Sequence, residues 1–384
     1  MREITIGMLA GEASGDNLGR GLMAELKRRH PGVRFVGVGG PGMLAEGLES
    51  LVPMDRLAIN GLVDPIRRLP ELVGILRRLL AWYDAERPDV FVGVDFNVFN
   101  LLLERRLKLR GVPTVHYVSP SVYAWRRGRI RRIARAADML LTLYPFEPAL
   151  YAETPVHAVF VGHPLADAID LDAGSEAARR RTRAELGLPE EGLVVALLPG
   201  SRLSEVRMLG DVFLEAAALI AAERPGVRFV VPCVRPAIGA WLESTRGRFP
   251  GLALTAYAGD ARRALTVCDG AVVKSGTSTL EAMLLRRPMV VSYRLGPMTY
   301  QVVRRLLRTP FVALPNILAG RQLVPELLQD QATPQALADA MLAELDKAAR
   351  NSEYFAEFER LHRELRRHAD ARAAEAVSGM VSHT

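Results

Sequence analysis

The segment from Leu193 to Glu205 reads Leu-Val-Val-Ala-Leu-Leu-Pro-Gly-Ser-Arg-Leu-Ser-Glu. It opens with an unbroken apolar run, which is typical of a strand buried on both faces of a parallel sheet. Pro199 and Gly200 end that run, and a helical pattern begins near Ser204, the expected N-cap. The turn between them presents backbone N–H groups, the positive end of a helix dipole and the guanidinium of Arg202. The segment therefore predicts an anion site for phosphate; pairing of Arg202 with a surface carboxylate is the alternative.

Apolar runs and helical patterns alternate through the whole chain on both sides of this segment. The predicted strands are residues 3–10, 34–38, 88–95, 114–118, 139–142 and 156–161 in the first half, and 193–198, 228–231, 252–255, 270–273 and 289–292 in the second. Two successive halves of this kind predict an α/β protein with two Rossmann-like, doubly wound domains that face a cleft. We place these domains at residues 1–168 and 169–349, with the polar segment 170–177 as their linker.

The C-terminal segment carries helical patterns over residues 334–349 and 351–381. The second pattern is long and amphipathic. We expect this helix, over about residues 350–384, to return to the first domain or to pack on a partner subunit. The second arrangement would make the protein a homodimer.

The composition describes a folded protein with room for two domains. The chain has 384 residues, of which 49% are hydrophobic and 24% charged. Its apolar runs are too short to span a bilayer, and its N-terminus does not resemble a signal peptide. Cys233 and Cys268 both lie in apolar surroundings, so neither a disulfide framework nor a zinc site is expected. These features predict a cytoplasmic protein.

The net charge of +7 favours polyanionic partners, namely nucleic acid, anionic lipid or phosphorylated substrates. Binding of nucleic acid requires aromatic side chains interleaved with the basic ones. The basic helix predicted over residues 126–135 has only Trp125 beside it. We therefore predict no nucleic-acid partner.

Between Ala58 and Trp82, leucines recur at helical spacing and arginines stand beside them. The arginines are Arg67, Arg68, Arg77 and Arg78. An ordinary helix that faces the core explains this pattern. A basic, apolar surface that contacts anionic lipid explains it as well.

Carboxylates follow two predicted strands of the first half. Glu12 comes directly after the first strand, within Gly11-Glu12-Ala13-Ser14-Gly15-Asp16, and Asp95 ends the third. Open α/β sheets place their ligands at the carboxyl ends of the strands, where an acid can serve as a general base. Ser14, Asp16 or Asp95 could instead only cap the following helices. The loop lacks the Gly-x-Gly-x-x-Gly spacing and so gives little support for NAD.

A similar turn in the second half extends from Lys274 to Glu281. Ser275, Gly276 and Thr277 can offer N–H groups and hydroxyls to a diphosphate. Glu281, one turn into the helix, can accept hydrogen bonds from ribose hydroxyls or remain a solvated acid. Further along, residues 315–322 form a polar loop in apolar surroundings.

Taken together and in order, several short motifs resemble those of the lipid-A-disaccharide synthases. They are Gly11-Glu12-x-Ser14-Gly15-Asp16, His116-Tyr117-Val118-Ser119-Pro120-Ser121-Val122, Leu198-Pro199-Gly200-Ser201-Arg202, Ser275-Gly276-Thr277 and Leu314-Pro315-Asn316-x-Leu318-Ala319-Gly320-Arg321. The similarity extends from about Ile4 to Gln329. Each motif is modest, but the ordered set is specific.

The resemblance implies an inverting glycosyltransferase of the GT-B fold that works without a metal or cofactor. It implies transfer of 2,3-diacylglucosamine from UDP to the 6-hydroxyl of 2,3-diacylglucosamine 1-phosphate, which gives a β-1,6 disaccharide phosphate in lipid A synthesis. Because both substrates carry acyl chains, it also implies peripheral association with the inner membrane and favours the lipid-contacting interpretation of residues 58–82.

By similarity, the base is Asp95, with Glu12 as acceptor-side support or a competing base. Ser14 and Asp16 become substrate contacts. The UDP contacts implied by the resemblance are Arg202, Ser275, Gly276 and Thr277 for the diphosphate, Glu281 for the ribose, and Asn316, Arg321 and Gln322 for the remainder.

The chain departs from the family pattern in two places. The family commonly has Asp-Ala-Pro-Asp-Phe-Asn where this chain has Asp95-Phe96-Asn97-Val98-Phe99-Asn100, which keeps only the first acid. Lys274 stands where a small apolar residue is expected; its ammonium either adds a cation near the diphosphate or reaches solvent.

Overall fold

A computed structural model describes residues 4–57, 68–120, 128–296, 300–301 and 309–381. Trp125 and residues 58–67, on which two of the predictions above depend, lie outside these ranges. The chain divides into two compact units. Unit 1 comprises Met1–Asp167 and Glu364–Thr384, and unit 2 comprises Ala168–Arg363.

Within the described residues, unit 1 contains a sheet of seven parallel strands. They are β1 (Thr5–Ala10), β2 (Arg34–Val38), β3 (Leu48–Ser50), β4 (Val90–Val94), β5 (Thr114–Tyr117), β6 (Met139–Thr142) and β7 (His157–Phe160). Their order across the sheet is β3-β2-β1-β4-β5-β6-β7. The chain therefore winds outward in both directions from the β1–β4 pair. In sheets of this kind, ligands bind at the carboxyl ends of the strands at such a point of reversal.

Helices cover both faces of this sheet. Those before the unit boundary are α1 (Ala13–Arg29), α2 (Pro41–Ala45), α3 (Leu69–Glu86), α4 (Asn97–Lys108), α5 (Arg129–Ala136) and α6 (Pro164–Ala168). Alternate residues of a strand face opposite ways. Met8 and Val92 accordingly join one apolar cluster with α1, while Leu9 and Phe91 join another with α3 and α4.

Unit 2 repeats this arrangement. Its parallel strands are β8 (Val194–Leu198), β9 (Arg228–Pro232), β10 (Leu254–Tyr257), β11 (Gly270–Lys274), β12 (Met289–Tyr293) and β13 (Glu326–Leu328), in the order β10-β9-β8-β11-β12-β13. Its helices are α7 (Glu176–Glu185), α8 (Leu203–Glu223), α9 (Pro236–Arg246), α10 (Ala261–Val267), α11 (Thr277–Leu284), α12 (Leu314–Ala319) and α13 (Pro334–Arg350). The prediction of an α/β protein with two doubly wound halves is thus confirmed.

The C-terminal segment is not the single long helix that its pattern predicts. It forms α14 (Ala356–Leu365) and α15 (Ala369–Val381), separated by His368 with a positive φ of 56°. The carboxylate of Asp167 accepts hydrogen bonds from the N–H groups of His368 and Ala369 and so caps α15. Ala373 and Val377 of α15 join the apolar cluster that contains α1. The N-terminus of α15 is thus held by a side chain from a distant part of the chain.

Helical turns of the 3-10 type, three or four residues long, and short edge strands complete the described structure. The edge strands β3 and β13 were not predicted, because three residues are too few to show an alternating pattern. In the part of the chain that the structure describes, no helix is long and apolar enough to cross a membrane.

Candidate active site

Asp95 lies at the carboxyl end of β4, next to the point where the sheet of unit 1 reverses. Asp95 and Phe96 both have positive φ, at 49° and 47°, and so does Val118 at the end of neighbouring β5, at 85°. Non-glycine residues rarely adopt this conformation, and it is costliest for β-branched side chains such as Val118. Such strain persists only where the surrounding structure enforces it, and it is concentrated at functional sites.

The backbone around Asp95 is held by hydrogen bonds from neighbouring elements. Its N–H donates to the Tyr117 carbonyl at 2.8 Å, and its own carbonyl accepts from the Asn100 side chain at 2.7 Å. Helix α4 has Phe96 at its N-cap position, without a side-chain cap. The interpretation of Asp95 as a helix cap is therefore wrong, and its carboxylate is directed elsewhere.

Two side chains donate to the half-buried carboxylate of Asp95. The Ser14 hydroxyl lies 3.3 Å from Oδ2, and Nδ2 of Asn97 lies 3.2 Å from Oδ1. Ser14 was predicted to contact substrate, and here it contacts Asp95. Both partners donate, so they orient the ionised carboxylate and leave it able to accept a proton.

Glu12 occupies the N-cap position of α1 through its backbone, and its side chain is exposed without capping the helix. Its carboxylate lines the same groove as Asp95. The two predicted acids of unit 1 therefore meet at one site. Asp95 is held by side-chain partners, whereas the described residues provide no hydrogen bond to the Glu12 carboxylate.

The groove beside these acids has a volume of about 450 Å³ and is mainly apolar. Helices α3 and α4 contribute most of its lining: Leu69, Leu72, Val73, Leu76, Phe96, Val98, Phe99 and Leu102, with Arg129 from α5. Val98 is 80% exposed and Leu69 57% exposed. Val98 occupies the position where the family pattern has its second acid, so this departure makes the groove more apolar.

The prediction that Asp16 contacts substrate is corrected by the structure. The Asp16 side chain is buried and accepts hydrogen bonds from the N–H groups of Gly40, Gly42 and Met43, at 2.8–2.9 Å. It therefore caps α2 from α1 and fixes the glycine-rich loop that follows β2.

In unit 2, the two turns predicted to bind a diphosphate line one pocket of about 400 Å³. One is the turn from Pro199 to Arg202, and the other extends from Lys274 to Ser278. Helices α8 and α11 both begin here, with Arg202 and Gly276 at their N-cap positions. Ser204 is thus not the cap. Two helix N-termini present N–H groups without helical partners, which is a geometry suited to anions.

The guanidinium of Arg202 is exposed and makes no ion pair with a carboxylate of the described residues. The predicted alternative of a surface pair is therefore not found. Lys274 behaves differently, because its ammonium lies 3.1 Å from Glu205 and 5.1 Å from the centre of the Tyr293 ring. It lines the pocket and does not extend past the turn to solvent.

Glu205 places a carboxylate inside this anion site. Its Oε2 accepts from the N–H groups of Ser201 and Arg202, at 3.0 and 3.3 Å. Gly200 leaves room for it, since a Cβ there would lie 2.5 Å from Oε2. Partial burial favours protonation, but the Lys274 ammonium and these N–H groups hold the pKa of Glu205 below its usual value.

The turn at residues 275–277 is tied to its surroundings. The Ser275 N–H donates to the Ser292 carbonyl, and its hydroxyl donates to the Val312 carbonyl at 2.8 Å. Ser275 therefore has no N–H left for a ligand, contrary to prediction. Gly276 has φ 156°, and the unpaired N–H groups begin from this residue.

Glu281 does not line the diphosphate pocket. It lies 3.8 Å from Arg262, and burial raises the pKa of its carboxyl group. The alternative of a solvated helix acid is wrong, because only 15% of the side chain is exposed.

Asn316 is fully buried, and its side-chain amide is hydrogen-bonded to neighbouring residues of unit 2. Its Nδ2 donates to the Val324 carbonyl and to Glu326, and its Oδ1 accepts from the N–H groups of Leu323 and Val324. All four hydrogen-bonding positions of the amide are thus occupied. The prediction that Asn316 contacts UDP is corrected: its side chain fixes the loop that displays Arg321 and Gln322, both of which are exposed.

Several residues of the site were not predicted from the sequence. Asn97, His116 and Glu104 extend the hydrogen bonds of Asp95 into the core, and Glu205 occupies the anion site. His116 stands at the start of a motif quoted above, which was the available signal. Glu104 and Glu205 lie in ordinary helical patterns, which do not indicate a functional role.

Comparison with known proteins adds a family and a fold. Residues 6–377 match the family model described as Lipid-A-disaccharide synthetase. The lipid-A-disaccharide synthase of Pseudomonas aeruginosa (strain UCBPP-PA14) is 50% identical over 379 residues, which cover 98% of each chain.

Two solved structures are similar over almost the whole chain. One is the glycotransferase of kitacinnamycin, with a TM-score of 0.62, 18% identity and coverage of 99% of this chain and 100% of the other. The other is the UDP-GlcNAc 2-epimerase of Neisseria meningitidis bound to UDP-GlcNAc, with a TM-score of 0.59, 11% identity and full coverage of both chains. At these identities the likeness shows the GT-B fold alone, which transferases share with epimerases.

Proposed function

The chain belongs to the lipid-A-disaccharide synthase family, and from this membership we propose how its two units divide the reaction. The enzyme condenses UDP-diacylglucosamine with its acyl-sugar acceptor in lipid A biosynthesis. Family membership also decides against the UDP-sugar epimerases that share the fold. In our proposal, unit 1 binds the acceptor and removes its proton, and unit 2 binds UDP.

The observation that carries the proposal is the position of Asp95. Its carboxylate is oriented by two hydrogen-bond donors, on strained backbone, at the end of an apolar groove. A base for the acceptor must lie beside a surface that accepts an acyl chain, because the reacting hydroxyl and the chain belong to one molecule. Each buried methylene of such a chain contributes about 0.8 kcal/mol of affinity. We place an acyl chain of the acceptor in this groove.

The chemical step then follows. The acceptor hydroxyl gives its proton to Asp95 while its oxygen attacks the anomeric carbon of the donor sugar. The bond from that carbon to the diphosphate oxygen breaks, and the electron pair leaves with UDP. Attack from the face opposite the leaving group inverts the anomeric centre. Developing oxocarbenium character at that carbon is expected from related glycosyl chemistry.

Unit 2 stabilises the leaving diphosphate. Arg202 is exposed at the pocket of unit 2, and the N–H groups from Gly276 onward are available at the start of α11. Arginine binds phosphate oxygens in a bidentate manner, and fixed donors at a developing charge are a large part of catalysis. We propose Arg202, Gly276 and Thr277 as diphosphate contacts. Ser275 supports the turn, and Arg321 and Gln322 complete the UDP site. Glu281 remains our candidate for the ribose.

A steady-state assay with both substrates in mild detergent tests the division of labour. Asp95→Asn keeps the shape of the side chain but removes its basicity, so we expect kcat to fall by about 10²-fold or more. Binding of UDP, measured by calorimetry, should be unchanged because UDP binds unit 2. Glu12→Gln is the matched control, with a smaller expected loss. Normal turnover by Asp95→Asn would instead assign the base elsewhere, with Glu12 as the next candidate.

We also propose that unit 1 binds an anionic membrane surface beside the groove. Leu69 is largely exposed, and Arg77 and Arg78 are exposed further along the same helix, α3. Apolar side chains with flanking cations are typical of surfaces that contact anionic lipid. The substrates carry acyl chains, so a groove that opens at such a surface can take them from the leaflet.

Sedimentation with vesicles that contain anionic phospholipid tests this surface. The variant Arg77→Gln/Arg78→Gln should bind about 30-fold less well, since each of the two basic residues near the surface contributes about 1 kcal/mol. The charge-matched control is Arg181→Gln/Arg228→Gln, which removes two exposed arginines from unit 2 and should bind as wild type. Equal binding by both variants would contradict the proposal.

The assignment of acceptor and donor functions to residues 1–168 and 169–349, and the homodimer, remain predictions. Light scattering coupled to size-exclusion chromatography measures the mass of the protein in solution and so tests the homodimer.

A further inference from the structure

A continuous line of hydrogen bonds runs from Asp95 into the core of unit 1. Asn97 donates to Asp95 at 3.2 Å, and its Oδ1 lies 3.1 Å from Nε2 of His116. Nδ1 of the same imidazole lies 2.7 Å from Oε1 of Glu104. His116 and Glu104 are both fully buried. The line therefore joins the candidate base to two titratable groups that no ligand reaches.

The fold makes specific room for this pair. His116 is on β5 and Glu104 is on α4, and Gly93 of β4 pairs with His116 in the sheet. A Cβ on Gly93 would lie 2.0 Å from Oε1 of Glu104. Burying a carboxyl group and an imidazole costs free energy that apolar side chains of similar size would not. Stability alone thus gives no reason for the pair.

The carboxylate of Asp95, at one end of this line, determines the directions of the hydrogen bonds. The carboxylate of Asp95 can only accept, so Asn97 must direct its NH₂ toward it and its oxygen toward His116. His116 must then carry a proton on Nε2. Burial raises the pKa of Glu104, which favours a protonated carboxyl group that donates to Nδ1 of a neutral imidazole. An imidazolium paired with a carboxylate would leave the Nε2 proton in the same place.

We propose that Asn97 and His116, anchored by Glu104, are positioning residues that hold the Asp95 carboxylate in line with the acceptor hydroxyl. The inference rests on the proposed role of Asp95 as the base. Asn97 is the first residue of α4, directly after the two strained residues, so its amide would otherwise be free to turn. His116 fixes that amide from the core side. A misdirected base loses rate without a loss of substrate binding, because a misplacement of about 1 Å in the reacting groups can cost about 10²-fold in rate.

The decisive experiment is a matched pair at His116, assayed for kcat and both KM values. Gln places an amide NH₂ near the position of Nε2, whereas Met has the same length and no donor. We expect His116→Met to lower kcat by about 10-fold to 100-fold with both KM values within about threefold of wild type. His116→Gln should recover most of the lost rate. Equal kcat values for the two variants, whether normal or impaired, would overturn the proposal.

Asn97→Leu provides a second test at a partly exposed position, in case the core substitution prevents folding. It should lower kcat by at least as much as His116→Met does, about 10-fold to 100-fold, and leave UDP binding intact. In the Asn97→Leu background, His116→Met should have no further effect, because the two residues act through one contact. Wild-type kcat for Asn97→Leu, or full additivity of the two losses, would overturn the inference.

Asp95→Asn separates this inference from the proposed function. If Asp95→Asn is active, the assignment of the base fails. If Asp95→Asn is inactive but Asn97→Leu and His116→Met retain wild-type kcat, the base stands and only the positioning inference fails.

Discussion

The six strands of unit 2 have the same order as the first six strands of unit 1, but the chemistry at the carboxyl ends of the strands is opposite in the two units. In unit 1, the loops after β1 and β4 bring the acids Glu12 and Asp95 to an apolar groove. In unit 2, the corresponding loops after β8 and β11 bring Arg202, Lys274 and two helix N-termini to one pocket. The fold therefore selects the place of a site, and a few loop residues select its chemistry.

The backbone differs as much as the charges. Unit 1 holds non-glycine residues at positive φ after β4 and β5, whereas unit 2 has Gly200 after β8 and Gly276 after β11. Glycine adopts these conformations without strain and lets phosphate approach N–H groups closely. Unit 1 instead uses strain to aim a side chain. The candidate binding turns and the candidate catalytic turn thus differ in their residue types.

The largest effect that tests this comparison is expected at Arg202. Arg202→Met retains the length of the side chain but removes the cation from the leaving diphosphate. We expect kcat to fall by about 10²-fold to 10³-fold, as when a single charge-stabilising donor is removed. Arg202→Lys should recover part of the rate, since it keeps the charge but loses bidentate geometry.

Arg207→Met is the control, because Arg207 is exposed on the same helix but does not line the pocket. A loss of less than threefold for Arg202→Met would mean that unit 2 binds the diphosphate without this cation.

A second prediction concerns Glu147, an acid of unit 1 whose burial favours the protonated form. Burial raises the pKa of Glu147 to about 8, although the N–H groups of Tyr144 and Leu143 partly oppose the shift. The folded state thus binds more protons than the unfolded state between the ordinary carboxyl pKa and about 8. The free energy of unfolding must then fall as pH rises through that window.

Glu147→Gln should remove this dependence while keeping the backbone hydrogen bonds. The comparison is best made above pH 6.5, because burial lowers the pKa of His163 to about 4 and gives an opposite slope below its ordinary pKa. From pH 6.5 to 8.0, wild type should lose about 1.5 kcal/mol more than the variant, measured by urea denaturation. Parallel pH profiles would show that Glu147 ionises normally.

The smallest effect is expected at Glu205, where unit 2 carries an acid like those of unit 1. Its carboxylate accepts hydrogen bonds from two backbone N–H groups and from Lys274 in the candidate diphosphate pocket. Glu205→Gln removes one negative charge there, so UDP should bind about fivefold more tightly by calorimetry. Asp211→Asn is the control. Asp211 is on the same helix as Glu205, pairs with Arg248 and does not line the pocket. Weaker binding by Glu205→Gln would mean that the carboxylate shapes the pocket rather than competing for it.

Much of this site was predictable because it depends on local order. Asp95 and Glu12 follow buried strands, and parallel strands bring their carboxyl ends to one edge. The turn at Arg202 and the turn at Gly276 were predicted to share a ligand for the same reason. Asp16 and Asn316 were misassigned because a polar residue in a loop can bind a ligand or bind backbone. The choice depends on which N–H groups face it, such as those of Gly40 or Leu323, and these come from elsewhere in the chain.

The sequence by itself determined the alternation of strands and helices, the two-unit architecture and the position of the candidate catalytic and binding loops along the chain. These follow from periodicity, turn residues and an ordered set of motifs. Only the tertiary structure decided that Glu104 and His116 lie behind Asp95, that Glu205 occupies the candidate anion site and that Asp167 caps the second of two C-terminal helices. The physical reason is the range of the interactions. Periodicity reports neighbours along the chain, whereas a hydrogen bond to a buried polar group depends on which distant residue the packing brings within 3 Å.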